Sequence, residues 1–435
     1  MKSLMKSIIS KKSLLIGLSV FATLSASAAT FSLSGNHRFG TNLFSNMDLA
    51  TGTLPGVGDT LTFLEHRLLL RPDVVVDDRF TIKSEMSLLQ IGPASANAVG
   101  DGFGSALDST SVQSNAQAMV LLRRAWLEWA SDWGIFRAGR MPKSWGLGLL
   151  YNAGSDVFDD FGTTVDRVTF QAMLGNLGLN IGYEKEAEGL LANDGDDAEA
   201  YELSLDYSNP ESLFDVGLLY ARRVRMAGSA PYSAGLRSSN DLSIFAKKRA
   251  GRFQFGGEFV SIAQDTKSNA IGALAQIDYM PGHWNLGLDV GFASGAADTP
   301  FTFHPNYRPF LILYRQTVGP TSNPAAVRGG ASGSSVGSAL GAGTGNGSFL
   351  TKASLSYAFA ASRLTFGTDI GFASLARAGS SGGSFLGVET DLHLTQQWYE
   401  NFQTVYAAGF LVPGSGFGPN AKAGWGVQVR GALTF

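Results

Sequence analysis

The sequence predicts an all-β chain that closes into a transmembrane antiparallel up-and-down β-barrel of about 18 strands. Three observations predict this fold: an export signal at the N-terminus, side chains that alternate with period two, and short turns that alternate with long loops. A count of about 16 strands is the alternative, because the segments around 116–141 and 240–266 alternate least regularly.

The first 28 residues have the composition of a cleaved signal peptide. Four lysines and no acid lie in residues 1–12, and an apolar stretch at 13–24 is followed by the small-residue motif Ala26-Ser27-Ala28. The apolar stretch is shorter than the roughly 20 residues that a membrane-spanning helix needs. We therefore expect export, cleavage after Ala28 and a barrel domain at 29–435.

Composition excludes several classes of protein. Without the four signal lysines, the count of Lys and Arg falls from 33 to 29 against 36 acids, so the net charge of −3 becomes −7. That balance argues against a nucleic-acid-binding protein. The chain has no cysteine, which excludes a disulfide framework, a thiolate metal site and a cysteine nucleophile. No metal or other cofactor is indicated.

The last segment shows the alternation most clearly. One face carries Ala423, Trp425, Val427, Val429, Gly431, Leu433 and Phe435. The other face carries Lys422, Gln428 and Arg430 among small residues. Similar runs occur at 201–207, 284–292 and 363–372. Since successive side chains of a strand point to opposite faces, each such strand has one apolar side for lipid and one polar side for a lumen.

The connections between these runs fall into two classes. Short polar turns lie at 77–79, 131–133, 175–176, 209–211, 250–251, 281–283, 360–362 and 397–401. Longer stretches rich in Gly, Ser and Asn lie at about 44–60, 92–115, 142–162, 188–198, 227–239, 296–347, 377–383 and 414–420. Such alternation is typical of barrels whose long loops are extracellular, although the link at 265–268 is short where a long one is due.

The longest loop, at about 296–348, has two parts. Residues 319–348 are a low-complexity stretch of Gly, Ser and Ala. Residues 301–316 are apolar and aromatic, are bracketed by prolines and do not continue the alternation. We expect this second part to be a structured segment that folds into the mouth or the lumen of the barrel.

These features resemble those of porin-like outer-membrane proteins of Gram-negative bacteria. The resemblance rests on the terminal aromatic Phe435 of an alternating last strand and on the run Arg137-Ala-Gly-Arg140 followed by Trp145-Gly-Leu-Gly148. It covers the architecture of the whole mature chain but only these short motifs in sequence. It implies a pore-forming barrel in the outer membrane that the barrel-assembly machinery inserts through its C-terminal strand.

Strand parity selects the charged side chains that should line the lumen. The predicted pore-lining residues are Arg67, Arg71, Lys83, Arg124, Arg137, Arg167, Asp278, Asp289, Asp369, Glu389, Asp391 and Arg430. The cations lie mainly in the first third of the chain and the carboxylates toward its C-terminus, so a basic wall should face an acidic wall. The alternative is that these polar side chains only line a water-filled lumen and have no role in selectivity. The parity of Arg124 is ambiguous because Arg123 lies beside it, and that of Arg140 is also open.

Other polar motifs give weaker indications of a functional site. The carboxylates Asp156, Asp159 and Asp160 form either a solvated acidic loop or a loop folded into the lumen. The acidic run 193–197 lacks the spacing of a known calcium loop and is interpreted as solvated. His304 is the one histidine whose place in a long loop could suit a hydrolase at the barrel rim. We expect no enzyme.

The leading hypothesis is passive passage of small hydrophilic solutes through a charged lumen. The alternatives are a dedicated exporter or importer barrel for a polymer or an apolar solute, and a structural or adhesive surface barrel. Outer-membrane lipid and lipopolysaccharide would surround any of them.

Overall fold

A computed structural model describes residues 29–46, 60–91, 120–187, 198–225, 238–265, 268–295, 301–304, 306–314, 347–377, 383–417 and 419–435. It contains the 18 strands that the sequence predicts. They are β1 (Thr30–Ser45), β2 (Thr60–Val75), β3 (Phe80–Ile91), β4 (Val120–Ser131), β5 (Gly134–Pro142), β6 (Thr164–Leu174), β7 (Leu177–Ala187), β8 (Ala198–Asn209), β9 (Phe214–Arg225), β10 (Ser238–Ala250), β11 (Phe253–Gln264), β12 (Ala270–Tyr279), β13 (Trp284–Ala293), β14 (Ser348–Phe359), β15 (Leu364–Ser374), β16 (Phe385–Tyr399), β17 (Phe402–Pro413) and β18 (Gly424–Thr434).

The strands form one closed antiparallel sheet. Each strand pairs with its neighbours in the chain, and β1 pairs with β18 to close the ring. Gly35 and Phe435 complete that seam by exchanging two backbone hydrogen bonds of 2.9 and 3.1 Å. The predicted up-and-down barrel of 18 strands is therefore confirmed, and the alternative of 16 strands is wrong. The predicted signal peptide lies outside the described residues.

Helical structure is minor in the part of the chain that the structure describes. Two short 3-10 turns lie at Ala360–Ser362 and Ser415–Phe417. No helix among the described residues is long and apolar enough to cross a membrane.

The two faces of the sheet differ as strand parity predicts. On β18, Trp425 and Val427 are about two-fifths exposed, whereas Gln428 and Arg430 are buried. The predicted apolar runs on β8, β13 and β15 are exposed in the same way. Because exposed apolar side chains belong to the outward face of a barrel, the buried polar side chains belong to the inner face.

The connections define two ends of the barrel. At the short-turn end, strands are joined by tight links such as 251–252 and 175–176. At the long-loop end, the links are longer, except that β11 and β12 are separated only by residues 265–269. Both termini of the barrel lie at the short-turn end. The low-complexity stretch at 319–346 and the acidic run at 193–197 lie outside the described residues.

A β-bulge resolves the parity of the paired arginines on β4. The register with β3 shifts so that Glu85 lies opposite Arg124 and Met86 lies opposite Leu122. The extra residue is Arg123, and both arginines are buried beside Glu85, each with a guanidinium nitrogen 3.5 Å from its carboxylate. A bulge places two consecutive residues against one partner, which is why simple alternation could not assign them.

Candidate functional site in the lumen

Two segments from the long-loop end fold back inside the barrel. We call residues 143–163, between β5 and β6, the first inner loop. We call residues 301–314, between β13 and β14, the second inner loop; residue 305 is not among the described residues. The expectation that the apolar segment at 301–316 would be a structured, inward part of its loop agrees with the buried positions of residues 301, 303, 304 and 309–314. Thr302 is exposed, and residues 315 and 316 lie outside the described residues.

The first inner loop crosses from β5 to strands on another part of the wall. Glu258 of β11 accepts hydrogen bonds from the backbone N–H groups of Leu147 and Leu149, at 2.7 and 3.2 Å. The indole N–H of Trp145 donates to Ser243 of β10 at 3.1 Å. Gly146 has φ +57°, and a Cβ there would lie 2.7 Å from a Glu258 oxygen. Glycine is therefore needed for the backbone to approach this carboxylate.

A buried lysine anchors the base of the same loop. The Lys143 ammonium lies 2.8 Å from a Glu184 oxygen and contacts Glu202, and it stands 3.9 Å from the centre of the Tyr151 ring. Arg167 adds a second cation, 3.4 Å from Glu184. Two cations and two carboxylates thus neutralise one another between the loop and strands β6 to β8. Buried charges persist only when they are paired in this way.

The far end of the first inner loop binds the seam where the barrel closes. Asp160 is buried and contacts three guanidinium groups, those of Arg38 on β1, Arg308 in the second inner loop and Arg430 on β18. Arg67 of β2 donates to the main-chain oxygens of Asp159 and Val157, at 2.6 and 3.1 Å. One carboxylate therefore connects both inner loops to both strands of the seam.

The neighbouring Asp159 has a perturbed pKa. Burial raises the pKa of this carboxyl to about 6, and the negative charges of Asp156 and Asp160 add to the rise. Its ionised form is therefore disfavoured in the seated loop. The loop-folding option for this acidic cluster agrees with the contacts of Asp160.

The second inner loop is held by two carboxylates of β16. Asp391 accepts the backbone N–H of Leu311 at 3.0 Å. Glu389 accepts the next two, from Ile312 at 2.6 Å and from Leu313 at 2.8 Å. Three consecutive backbone N–H groups of the loop therefore donate to two side chains of one strand, which fixes the position of the loop backbone.

The two inner loops also bind each other. His304 donates its backbone N–H to the carbonyl of Leu149 at 2.9 Å. The Asn306 side chain accepts the N–H of Phe161 at 3.0 Å and donates to its carbonyl at 2.6 Å. We call the joined loops the septum, since they meet inside the ring of strands.

An apolar core surrounds the septum at the long-loop end of the lumen. It combines inward strand residues with loop residues that are almost fully buried. Its larger members are Phe44, Leu149, Val260, Leu274, Phe301, Phe303, Phe310, Leu311, Ile312, Leu313, Tyr314, Leu350, Leu386, Leu411 and Phe417. This core packs the septum as the interior of a soluble domain would be packed.

His304 lies within this packed region. Burial, together with the nearby Arg308, lowers its pKa to about 3, so the imidazole is neutral at physiological pH. Its Nδ1 accepts the backbone N–H of Asn306 at 3.2 Å. Its contacts place it in the packing of the septum and not at an open rim.

The predicted pore-lining residues fall into three groups by their contacts. Those that touch the inner loops are Arg67, Arg124, Glu389, Asp391 and Arg430. Those that pair with carboxylates on the strands are Arg71, Lys83, Arg137 and Arg167. Those that border an inner cavity are Asp278, Asp289 and Asp369. All twelve stand on the face opposite to the exposed apolar residues.

The inner cavity lies on the wall formed by β12 to β16, toward the short-turn end. It has a volume of about 350 Å³. Lys352 pairs with Asp289 at 3.0 Å, and His393 lies 3.6 Å from Asp369. This wall carries more carboxylates than cations.

Sequence reasoning missed several residues that hold the septum. Arg38 could have been found, because it shares the parity of Asn36 and Asn42 on β1. Lys143 and Arg308 lie in loops, where no periodicity marks the direction of a side chain. Arg140, whose parity was open, is not a lumen residue: it lies on the outward face and pairs with Asp166 at 2.7 Å.

Comparison with solved structures agrees with the fold. The chain is similar to OccK9 (OpdG) of Pseudomonas aeruginosa, with 12% identity, 93% of this chain and 98% of that chain covered, and a TM-score of 0.59. It is similar to the outer-membrane protein OpdK of the same organism, with 9% identity, the same coverage and a TM-score of 0.56. It is also similar to OccK8 (OprE) of P. aeruginosa, with 10% identity, 93% of this chain and 98% of that chain covered, and a TM-score of 0.54.

No protein-family model matches the chain, and no curated protein matches its sequence. At such low identity the structural similarity concerns the fold. What the chain shares with these structures, one of them an outer-membrane protein, is the closed antiparallel barrel that the sequence predicted.

Proposed function

We propose that the protein is an outer-membrane channel through which small hydrophilic solutes diffuse. The observation that carries the proposal is a closed ring of 18 strands with apolar side chains outward and charged side chains inward. Barrels of about 16 to 18 strands are wide enough to enclose an aqueous channel, whereas those of about 8 are filled by side chains. The long loops would face outside, and Phe435 would lie on the periplasmic side.

A field across the lumen would select among solutes. In a ring of 18 strands, strands nine positions apart lie across from each other. Lys83 on β3 is nine strands from Asp278 on β12, and Arg167 on β6 is nine strands from Asp369 on β15. A basic wall opposite an acidic wall would orient dipolar or charged solutes as they pass. The twelve charged residues predicted to line the pore remain the proposed lining.

The septum would narrow the path. The two inner loops occupy the long-loop half of the lumen, while the cavity on the acidic wall lies toward the short turns. Passage would therefore be limited by the space around the septum, or by its displacement, and not by the width of the barrel. This arrangement favours small solutes over a polymer.

The test is electrical recording from the purified protein in planar bilayers. We expect discrete conductance steps whose ion selectivity changes when charges of either wall are neutralised. Absence of conductance across pH and salt would contradict the channel. The adhesive-barrel alternative would instead leave the bilayer silent while surface binding persists.

A further inference from the structure

The outward face at the long-loop end is aromatic along half of the barrel. Strands β11 to β18 present there Phe259, Phe292, Phe349, Phe372, Phe410 and Trp425. Such rings are typical of the level at which a barrel meets the lipid headgroups.

The sector from β5 to β8 differs, because it carries ion pairs at the same level. Arg140 of β5 binds Asp166 of β6 with two guanidinium nitrogens, at 3.0 and 2.7 Å. Lys185 of β7 lies 3.5 Å from Glu199 of β8. Asp166 also lies opposite Lys185 in the strand register. The four side chains thus form one row of alternating sign across four strands.

A third cation extends this row. Arg222 of β9 is exposed and donates to the neutral side chains of Asn240, at 3.0 Å, and Ser238, at 3.4 Å. The Tyr220 hydroxyl donates to the same Asn240 oxygen at 2.7 Å. We call the set of five side chains the outer ionic rim; its members are Arg140, Asp166, Lys185, Glu199 and Arg222.

The position of the rim fixes what it can meet. Each member lies within about three residues of the long-loop end of its strand, or roughly 10 Å along the strand at about 3.3 Å per residue. That distance belongs to the headgroup layer, where outward charges cost little, and not to the hydrocarbon core, where they would destabilise the barrel.

We propose that the outer ionic rim binds the phosphate groups of the glycolipid in the outer leaflet. The inference rests on the orientation given under the proposed function, in which the long loops face outside. Guanidinium groups recognise phosphate through charge-assisted hydrogen bonds, and an ammonium adds a point charge. The Tyr183 hydroxyl donates to Glu199 at 2.7 Å, and the Tyr220 hydroxyl shares the Asn240 oxygen with Arg222.

The carboxylates of the rim are also complementary to this lipid. Phosphate groups packed in a layer are held together by divalent cations, and such cations accept carboxylate and phosphate oxygens together. Arg140, Lys185 and Arg222 would face the phosphates, while Asp166 and Glu199 would face the bridging ions. Side chains of alternating charge are therefore more complementary to a layer of phosphates and bridging cations than a uniformly basic patch would be.

The test measures binding of bis-phosphorylated lipid A to the full-length protein in detergent with Mg²⁺, by native mass spectrometry. The rim variant is the triple substitution Arg140→Gln, Lys185→Gln and Arg222→Gln. The matched control removes three cations at the short-turn end, with Arg79→Gln, Lys248→Gln and Arg252→Gln. Retention of the compact, detergent-resistant form on a gel verifies that each variant folds.

We expect the rim variant to bind at least about tenfold more weakly, since each surface cation contributes to attraction of anionic lipid. The control should bind like the wild type, and lipid A without phosphates should bind weakly to all three. Equal binding by the rim variant and the wild type would overturn the proposal, as would an equal loss in both variants. Bilayer conductance of the same preparations is a separate readout: a silent wild type contradicts the channel and leaves the lipid result interpretable.

Discussion

A single substitution at Asp160 should weaken the attachment of the septum to the barrel wall. Its carboxylate contacts Arg38, Arg308 and Arg430, and its side chain is 8% exposed. The substitution Asp160→Asn keeps the size of the side chain and removes the charge that the three guanidinium groups share.

The expected effect follows from the cost of an unpaired buried charge. Removal of one partner from a buried ion pair costs about 3–5 kcal/mol. The asparagine carbonyl still accepts one hydrogen bond, so we take the lower end, about 3 kcal/mol. That value corresponds to a factor of roughly 150 in the equilibrium between a seated and an unseated septum. The sheet itself keeps its backbone ladder and should keep its thermal stability.

Single-channel recording measures this shift. We expect Asp160→Asn to show larger or longer-lived open states than the wild type. The matched control is Asp156→Asn, because Asp156 is exposed and lies in the same loop, and its carboxylate accepts the local backbone N–H of Phe158 without an ion pair to any described residue. Conductance and open lifetimes that are the same for both variants and the wild type would refute the role assigned to Asp160.

Three other predictions concern the septum and the wall. Gly272→Ala should raise conductance, because the new Cβ would lie 2.2 Å from the Phe301 ring and would displace the second inner loop. Gly257→Ala should leave conductance unchanged, because the nearest atom to its Cβ lies at 3.8 Å. Leu288→Arg should reduce folding stability in bilayers by about 2–4 kcal/mol, while Ser354→Arg on the inner face should change it little; denaturant titration measures both. The pKa of Asp159 is about 6 in the folded protein, against an ordinary 3.8. Above pH 6, ionisation of Asp159 therefore adds a free-energy cost to the seated loop, and this cost disappears as the pH falls toward 4. Open events should therefore be rarer at pH 5 than at pH 7, and Asp159→Asn should lose that difference; an unchanged pH response would contradict it.

The fold was predictable because a barrel repeats one local rule many times. The alternation around Trp425 and Arg430 sets the faces of β18, and the same rule sets those of β8, β13 and β15. An error in one strand boundary leaves the count intact, because each turn and each loop marks a strand end independently.

The candidate site was predictable only where it lies on regular strands. The register shift at Arg123 breaks the period of two, so the inward position of both arginines could not be derived from their spacing. Arg140 is a different case, since its parity was open in the sequence and the structure places it on the outward face beside Asp166. Its outward direction follows from regular alternation along β5, because it lies three residues from the inward Arg137 and no register shift separates them.

The septum depends on long-range contacts and was therefore the least predictable part. Glu258 and Asp160 are ordinary carboxylates in the sequence, and only the closed ring brings the first to Leu147 and the second to Arg430. The apolar composition of the second inner loop did indicate burial. It gave no indication that Glu389 would hold its backbone.

The most direct test of a channel narrowed by the septum is to replace residues 301–314 with a Gly/Ser segment of equal length. Such a segment keeps the connection between β13 and β14 but loses the buried aromatic and aliphatic side chains that pack against the lumen wall. In planar bilayers, we expect the wild type to give discrete steps and the replacement to give steps of clearly larger conductance. A folded replacement with unchanged conductance, or silence from both proteins, would contradict this account.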